Sequence, residues 1–291
     1  MCLTYRLLAV DVDGTLLDSR HQLPAANRAA LHRAHEAGMT ICICTGRSLP
    51  ETRQVIDDIG LDLDAGIFVF GAIITDLRRM TTVERTTIPA GLTDQLVAYF
   101  QDRGYPVLLL YDESVAGFDY LLVAGEWNLP AYERWLKLSP ARIERVQTWR
   151  PLPYEPVRVG VIDDPERIQA TIARLKREGP GDQVKCHAIY APNYGLHVIE
   201  CFEPSVNKWQ GLLRLAARLG LTPHQVVAVG DDVNDLEMIA GAGLGVAMGN
   251  AIDQVKAVAA LQVACNDDCG VAELLQAVLP AGKPVAPRPS R

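Results

Sequence analysis

The sequence predicts an α/β protein in which a core of parallel strands, covered by helices on both faces, is interrupted by a second, α+β unit. Three observations carry this. Before Thr82, the apolar runs RLLAVDVD, MTICICTGR and AGIFVFGAIIT show no polar alternation and are separated by helical patterns, as expected for strands buried on both faces. After about Thr82 the composition changes. Three of the four tryptophans (Trp127, Trp135, Trp149) and a long series of prolines fall between residues 83 and 195. Beyond that stretch the strand and helix rhythm of the beginning returns. The expected organisation is a discontinuous core of residues 1–82 and 196–279, an inserted unit at 83–195, and a disordered tail at 280–291, whose Pro- and Gly-rich sequence offers no core-forming run.

Each element follows from local chemistry. RLLAVDVD is the first strand, and PAANRAALHRAHEAG a helix with Pro24 near its first turn and Gly38 past its end. MTICICTGR is the second strand, about Leu49 to Ile59 the next helix, and AGIFVFGAIIT the third strand. In the inserted unit, PVLLLY, FDYLLVA, PVRVGVI and VKCHAIY have strand character, with helices near 91–102, 131–138 and 165–178. SVNKWQGLLRLAARLG, QVVAVGDD, NDLEMIAGAG, LGVAMGN and CGVAELLQAVL complete the core. Ser205 is the expected N-cap of a helix over 206–218.

Composition narrows the function. With 291 residues, 49% hydrophobic and 22% charged, the chain can bury a large core. No apolar run reaches the roughly 18 to 20 residues of a membrane span, and the start meets an acid too early for a signal peptide. A cytoplasmic location is expected. A net charge of −7 offers no basic excess for nucleic acid or an anionic membrane. The seven cysteines are odd in number, and Cys42 and Cys44 sit inside an apolar run, so no disulfide framework is expected. Cys265 and Cys269 lack a second pair of ligands nearby, and no zinc site is expected.

Ligands of open parallel sheets bind beyond the carboxyl ends of the strands. Four polar clusters occupy such positions: Asp11 and Asp13 after the first strand, Thr45-Gly46-Arg47 after the second, Lys208 at a helix start, and Asp231-Asp232 with Asn234-Asp235 after QVVAVG. Converging Asp11, Asp13 and Asp231 would repel one another unless a divalent cation neutralised them, and an all-oxygen ligand set suits magnesium. Thr45, Gly46 and Lys208 are means of holding a phosphate, helped by the helix dipole at Lys208. On an extended segment residues 11 and 13 point to the same side, roughly 6.5 to 7 Å apart. One carboxylate can then attack phosphorus while the other moves a proton. Gly14 frees the backbone to turn, and Thr15 is expected to steady Asp13. Asp232 is expected to cap the following helix, and Arg47 to serve a structural ion pair or a cap contact. His187, His197 and the tryptophans of the insert receive no role.

D-V-D-G-T-L at 11–16, C-T-G-R at 44–47, Lys208, and G-D-D-V-N-D at 230–235 followed by G-V-A-M-G-N-A at 245–251 together resemble the four motifs of the haloacid dehalogenase superfamily. With D-x-x-G-V-A from Asp267 to Ala272, the last is similar to the Cof-like, type IIB-capped phosphatases. The resemblance implies a Rossmann-like core with an inserted α+β cap domain. It also implies Mg2+, with Asp11 as nucleophile and metal ligand, Asp13 as acid and base whose backbone carbonyl binds the metal, and Asp231 as the third ligand. Val12 (through its N–H), Thr45, Gly46, Lys208 and Asn234 would hold the phosphoryl group, and Asp235 would orient the metal shell or Lys208. Two positions depart from the pattern. Phe70 stands where relatives usually carry Asn, so a polar contact from that loop is not expected. Trp209 replaces a frequent glycine and is expected to alter packing near the mouth.

The expected function is magnesium-dependent hydrolysis of a small phosphomonoester, such as a sugar phosphate, phosphorylated cofactor or nucleotide, through an aspartyl-phosphate. A phosphomutase would instead return the phosphoryl group to substrate, and a non-catalytic phospho-ligand sensor would have no use for the nucleophile.

Overall fold

The computed structural model describes residues 3–126, 130–191 and 194–279. The tail at 280–291 and Trp127 lie outside the described residues. In chain order the first half of the core comprises β1 (Leu7–Val10), α1 (Ala25–Glu36), β2 (Thr40–Cys44), α2 (Leu49–Ile59), β3 (Ala65–Phe68), β4 (Ile73–Asp76) and β5 (Thr81–Arg85). All four residues of β1 are fully buried, because neighbouring strands flank it and helices cover both faces. α1 buries Asn27, Ala30, Leu31 and Ala34, the i, i+3, i+4, i+7 stripe of a one-sided helix. α2 begins with a capping box between Ser48 and Glu51 and ends at Gly60, whose φ of 66° closes the helix.

The run AGIFVFGAIIT is not one strand. Val69, Phe70 and Gly71 all take positive φ (53°, 56° and 101°) and reverse the chain, so that β3 and β4 pair antiparallel. The inserted unit then follows, as α3 (Ala90–Gln101), β6 (Val107–Leu110), α4 (Glu113–Ala116), β7 (Tyr120–Val123), α5 (Pro130–Leu138), β8 (Ile143–Val146), β9 (Arg158–Asp163), α6 (Ile168–Glu178), β10 (Lys185–Ala191) and β11 (Leu196–Phe202). The second half of the core comprises α7 (Lys208–Arg218), β12 (Val226–Gly230), α8 (Leu236–Gly241), β13 (Leu244–Ala247), α9 (Asp253–Val258), β14 (Leu261–Gln262) and α10 (Gly270–Val278).

Two sheets result. The first runs β14-β13-β12-β1-β2-β3-β4-β5 and the second β10-β11-β9-β6-β7-β8. Through β3 the first sheet is parallel, and the β3, β4 and β5 pairings are antiparallel. Both expected boundaries shift. β5 straddles the one at 82/83, and β11 pairs with β10 and β9, so the core does not resume at 196 but after Phe202. Leu196–Phe202 is an apolar strand like those of the core, and only its partners show which sheet it joins.

The second sheet has two working faces. Val107, Leu109, Leu121, Val159, Val161, Ile199 and Cys201 pack in a cluster with α3 and α6. The alternate residues, among them Leu108, Tyr120, Ile162 and Leu196, join the hydrophobic cluster that contains β1 and β2. The period of two along each strand therefore turns one face toward the helices and the other toward the core.

Candidate active site

β1, β2 and β12 run parallel, and β1 lies between the other two. Their carboxyl ends bring Asp11, Thr45 and Asp231 to one side of the sheet, and all three line a cavity of about 870 Å3. Asp13, Gly46, Lys208 and Asn234 line it as well. Val12 lies in the same turn, its side chain fully buried. The expected convergence of residues 220 positions apart is thus seen.

The turn after β1 is tightly determined. Gly14 has φ 73°, and a Cβ there would stand 2.3 Å from Asp231 Oδ2, so only glycine allows this approach. Thr15 Oγ1 donates to Asp231 Oδ1 at 2.9 Å. The threonine therefore steadies Asp231 and not Asp13, since the turn carries its hydroxyl across to β12. Three amides, those of Asn27 and Asn266 buried, hold the turn's carbonyls: Asn250 Nδ2 donates to Gly14 O (2.8 Å), Asn27 Nδ2 to Leu16 O (3.1 Å) and Asn266 Nδ2 to Leu17 O (2.9 Å). Sequence reasoning gave these asparagines no role. Asn250 sits inside the motif at 245–251, which was the one signal that pointed to it.

Lys208 is the first residue of α7, and its N-cap is Asn207, whose side chain accepts from Gln210 N. The helix begins after Val206, so Ser205 is not the cap; its hydroxyl and N–H turn to Glu203 instead. The Lys208 ammonium donates to Asp11 Oδ1 (2.6 Å) and to Asp235 Oδ1 (2.7 Å). Asp235 Oδ2 accepts the backbone N–H groups of Asp231 and Asp232, so this fully buried carboxylate organises both the lysine and the acid loop. Asp232 accepts from Val233 N as a helix cap.

One carboxylate oxygen each from Asp11, Asp231 and Asp235 lies within 4.8 Å of the other two. Burial pushes the Asp11 carboxyl well above the usual carboxylate range, opposed by Lys208 and reinforced by Asp235 and Asp231. Burial and the charge of Asp235 push Asp231 up to about 7, against Thr15 and Lys208. Burial disfavours the charge on Lys208, yet Asp11 and Asp235 hold it well above its ordinary value. Three facing carboxylates with one ammonium leave a negative excess in an all-oxygen setting, which fits a hard divalent cation such as magnesium.

Asp13 is placed differently. Arg47 grips its carboxylate with two donors, Nε to Oδ2 at 2.8 Å and Nη2 to Oδ1, and His21 Nδ1 stands 3.6 Å from Oδ1. The expected structural ion pair of Arg47 is therefore made with Asp13. Asn234 Oδ1 is buried with no hydrogen-bond partner among the described residues. Gly46 carries the Phe70 ring directly against it, since a Cβ there would lie 2.4 Å from Phe70 Cζ. Phe70 stacks edge-on against His187 (5.2 Å) and Phe202 (5.7 Å) of the second sheet, an apolar contact in place of a polar one. Trp209 packs its ring over Gly241 and does not reach the cavity wall. Trp135 and His187 do reach it, although the sequence reading gave them no role, because nothing local distinguishes a cavity wall from a core face.

A parallel sheet with acids at its strand ends, roofed by an inserted α+β unit, has the build of a capped α/β hydrolase. A family model for haloacid dehalogenase-like hydrolases matches residues 8–275. The chain belongs to the haloacid dehalogenase-like hydrolase family. It is 28% identical to 5-amino-6-(5-phospho-D-ribitylamino)uracil phosphatase YwtE of Bacillus subtilis, over 94% of this chain and 98% of that one. It is likewise 28% identical to pyridoxal phosphate phosphatase YbhA of Escherichia coli, over 94% and 98%. A haloacid dehalogenase-like hydrolase of Bacteroides thetaiotaomicron superposes with a TM-score of 0.78 at 23% identity, over 94% of this chain and 100% of that structure, a likeness of fold. No helix among the described residues is long and apolar enough to cross a membrane.

Proposed function

We propose that the protein hydrolyses a small phosphomonoester with the help of magnesium, through an aspartyl-phosphate on Asp11. The enzyme is a phosphoric monoester hydrolase, and the observation that carries the finer reading is the convergence of Asp11, Asp231 and Asp235 around the Lys208 ammonium at the cavity floor. Lys208, Thr45, Gly46, the Val12 N–H and the Asn234 Nδ2 hold the phosphoryl oxygens; the Asn234 Oδ1, an acceptor, has no partner among the described residues to fix the orientation of that amide. Asp11 and Asp231, with the Asp13 backbone carbonyl, would hold the magnesium ion. When bound, the metal neutralises phosphoryl charge and keeps Asp11 ionised at neutral pH. Asp11 then attacks phosphorus, and the leaving oxygen takes a proton from Asp13, which later removes one from the attacking water. Asp13 reaches that oxygen only by loosening its paired contact with Arg47, so proton transfer requires a small rearrangement at the mouth. The named substrates of the relatives, a ribitylaminouracil phosphate and pyridoxal phosphate, support a metabolite of similar size.

Turnover of p-nitrophenyl phosphate tests this. The parent protein is expected to release phosphate with magnesium, to lose activity with EDTA and to regain it on adding the metal, while Asp11→Asn loses at least about 1,000-fold in kcat, as expected for removal of a nucleophile. Parent-like rates from Asp11→Asn would overturn the reading.

A further inference from the structure

Resting on the phosphatase reading, the remaining question is what the cavity wall asks of the leaving group. The face of the second sheet that lines the cavity is apolar at Leu108, Ile162, Leu196 and Val198. Among its polar groups, which include Tyr120, Lys185 and His187, the most buried charged ones form the ion pair Arg158 Nη1 to Glu200 Oε1 at 2.5 Å, whose side chains are only 12% and 8% exposed. Arg158 Nη2 also donates to the Tyr120 hydroxyl, which occupies a second arm of the guanidinium. Glu200, 94% buried, has its other oxygen, Oε2, without a hydrogen-bond partner among the described residues. Its cross-strand partner on one side is Gly160, which has no side chain to cover it; on the other side is His187.

A buried carboxylate with one free oxygen is costly unless something fills the vacancy. Glu200 lines the cavity, with Oε2 itself lying just beneath the surface, so a small turn of the carboxylate is what would present it to a ligand's donor. The sign of the site is also informative. Each Lys or Arg lining the cavity already faces an acid: Lys208 with Asp11 and Asp235, Arg47 with Asp13, Arg158 with Glu200, and Lys185 with Glu237 at 3.9 Å. Among the described residues, the cations of the second-sheet wall itself, Arg158 and Lys185, each have an acid within 4 Å, and neither is left over for a second anion.

We propose that Glu200, oriented by Arg158, is a specificity residue whose Oε2 accepts a hydrogen bond from a hydroxyl or N–H of the leaving group, and that the enzyme selects phosphomonoesters with uncharged, donor-bearing leaving groups over bisphosphates and carboxylate-bearing esters. The apolar wall and the flat rings of Tyr120 and His187 beside the pair accommodate the carbon skeleton that carries the donor.

The test compares kcat/KM, with magnesium, for hexose 6-phosphates, polyol phosphates and nucleoside 5′-monophosphates against fructose 1,6-bisphosphate, 3-phosphoglycerate and the donor-free p-nitrophenyl phosphate. In the parent, the best donor-bearing ester should exceed both anionic esters by about tenfold or more. The ratio of its kcat/KM to that of p-nitrophenyl phosphate should fall by about tenfold or more in Glu200→Gln and in Arg158→Met/Glu200→Leu, since a site built to bond a donor discriminates on that bond. The double variant removes both charges together and so avoids stranding Arg158. A ratio that stays within about twofold in both variants, an equal loss on every ester, or a parent that prefers the bisphosphate would overturn the inference. Failure of the parent to hydrolyse even p-nitrophenyl phosphate would overturn the phosphatase reading beneath it, and the inference with it.

Discussion

Lys208 has one positive charge to share between Asp11 and Asp235, and Asp231 stands beside them. The residue types at these positions are what the chemistry of a phosphoryl group demands, and each was identifiable from the chain alone. Their partners were not. That Arg47 would take Asp13, that Thr15 would serve Asp231, and that three asparagines would hold the turn's carbonyls depends on distances set by other strands. A prediction at this scale concerns His187, wedged between Phe70 and Phe202. Burial, then the charge of Lys185, lower its pKa from 6.5 to about 4. The unfolded chain takes up a proton near pH 6.5 and the folded chain only near 4, so unfolding is increasingly favoured as pH falls through that window. His187→Phe keeps the ring cluster and removes this dependence. Urea midpoints at pH 7.5 and 4.5 should drop more for the parent than for the variant; equal drops would show that the imidazole is not held neutral.

At the scale of elements, local signals served helices better than strands. The helices at 49–59 and in α1 were legible because one-sided apolar spacing and helix-end residues such as Pro24 are short-range effects, although the cap expected at Ser205 falls at Asn207. The hairpin of β3 and β4 was hidden because its turn uses Val69 and Phe70 at positive φ, where the sequence offers no Asn or Asp to announce it. The turn holds because Gly71 lies against the start of α7, where a Cβ would come within 2.2 Å of Asn207 O, and because Phe70 is anchored in the ring cluster. Phe70→Asn weighs these terms against each other. Asn relieves about 1 kcal/mol of left-handed strain, and the loss of the buried ring costs about 3–5 kcal/mol. Packing wins, and a net destabilisation of about 2–4 kcal/mol is expected, read by chemical denaturation. A neutral or stabilising outcome would mean that the ring contributes little to the closed arrangement.

For the whole molecule, the cavity exists only because the second sheet lies over the first. One cross-link between them is Tyr194, whose hydroxyl donates to Glu51 Oε1 at 2.9 Å while the other Glu51 oxygen serves the helix cap at Ser48. Tyr194→Phe removes a hydrogen bond to a carboxylate, worth about 1.5–3 kcal/mol, from the closed arrangement alone. KM for p-nitrophenyl phosphate should rise several-fold, with kcat changed less, because a contact that holds the second sheet over the cavity is lost. Steady-state kinetics decide this: an unchanged KM would show that the contact does not hold the two sheets together over substrate.

The fold class, the four motif clusters and the expectation of a cation beside Asp11 and Asp231 followed from the chain by itself, because periodicity, capping and charge repulsion act over a few residues or follow from residue type. Only the tertiary structure decided that Leu196–Phe202 belongs to the inserted sheet, that Asp235 completes the carboxylate cluster while Asp13 turns to Arg47, and that Arg158 and Glu200 face the cavity. These are matters of register and sheet-on-sheet placement, and a strand's sequence specifies that it has a buried face without specifying what that face meets.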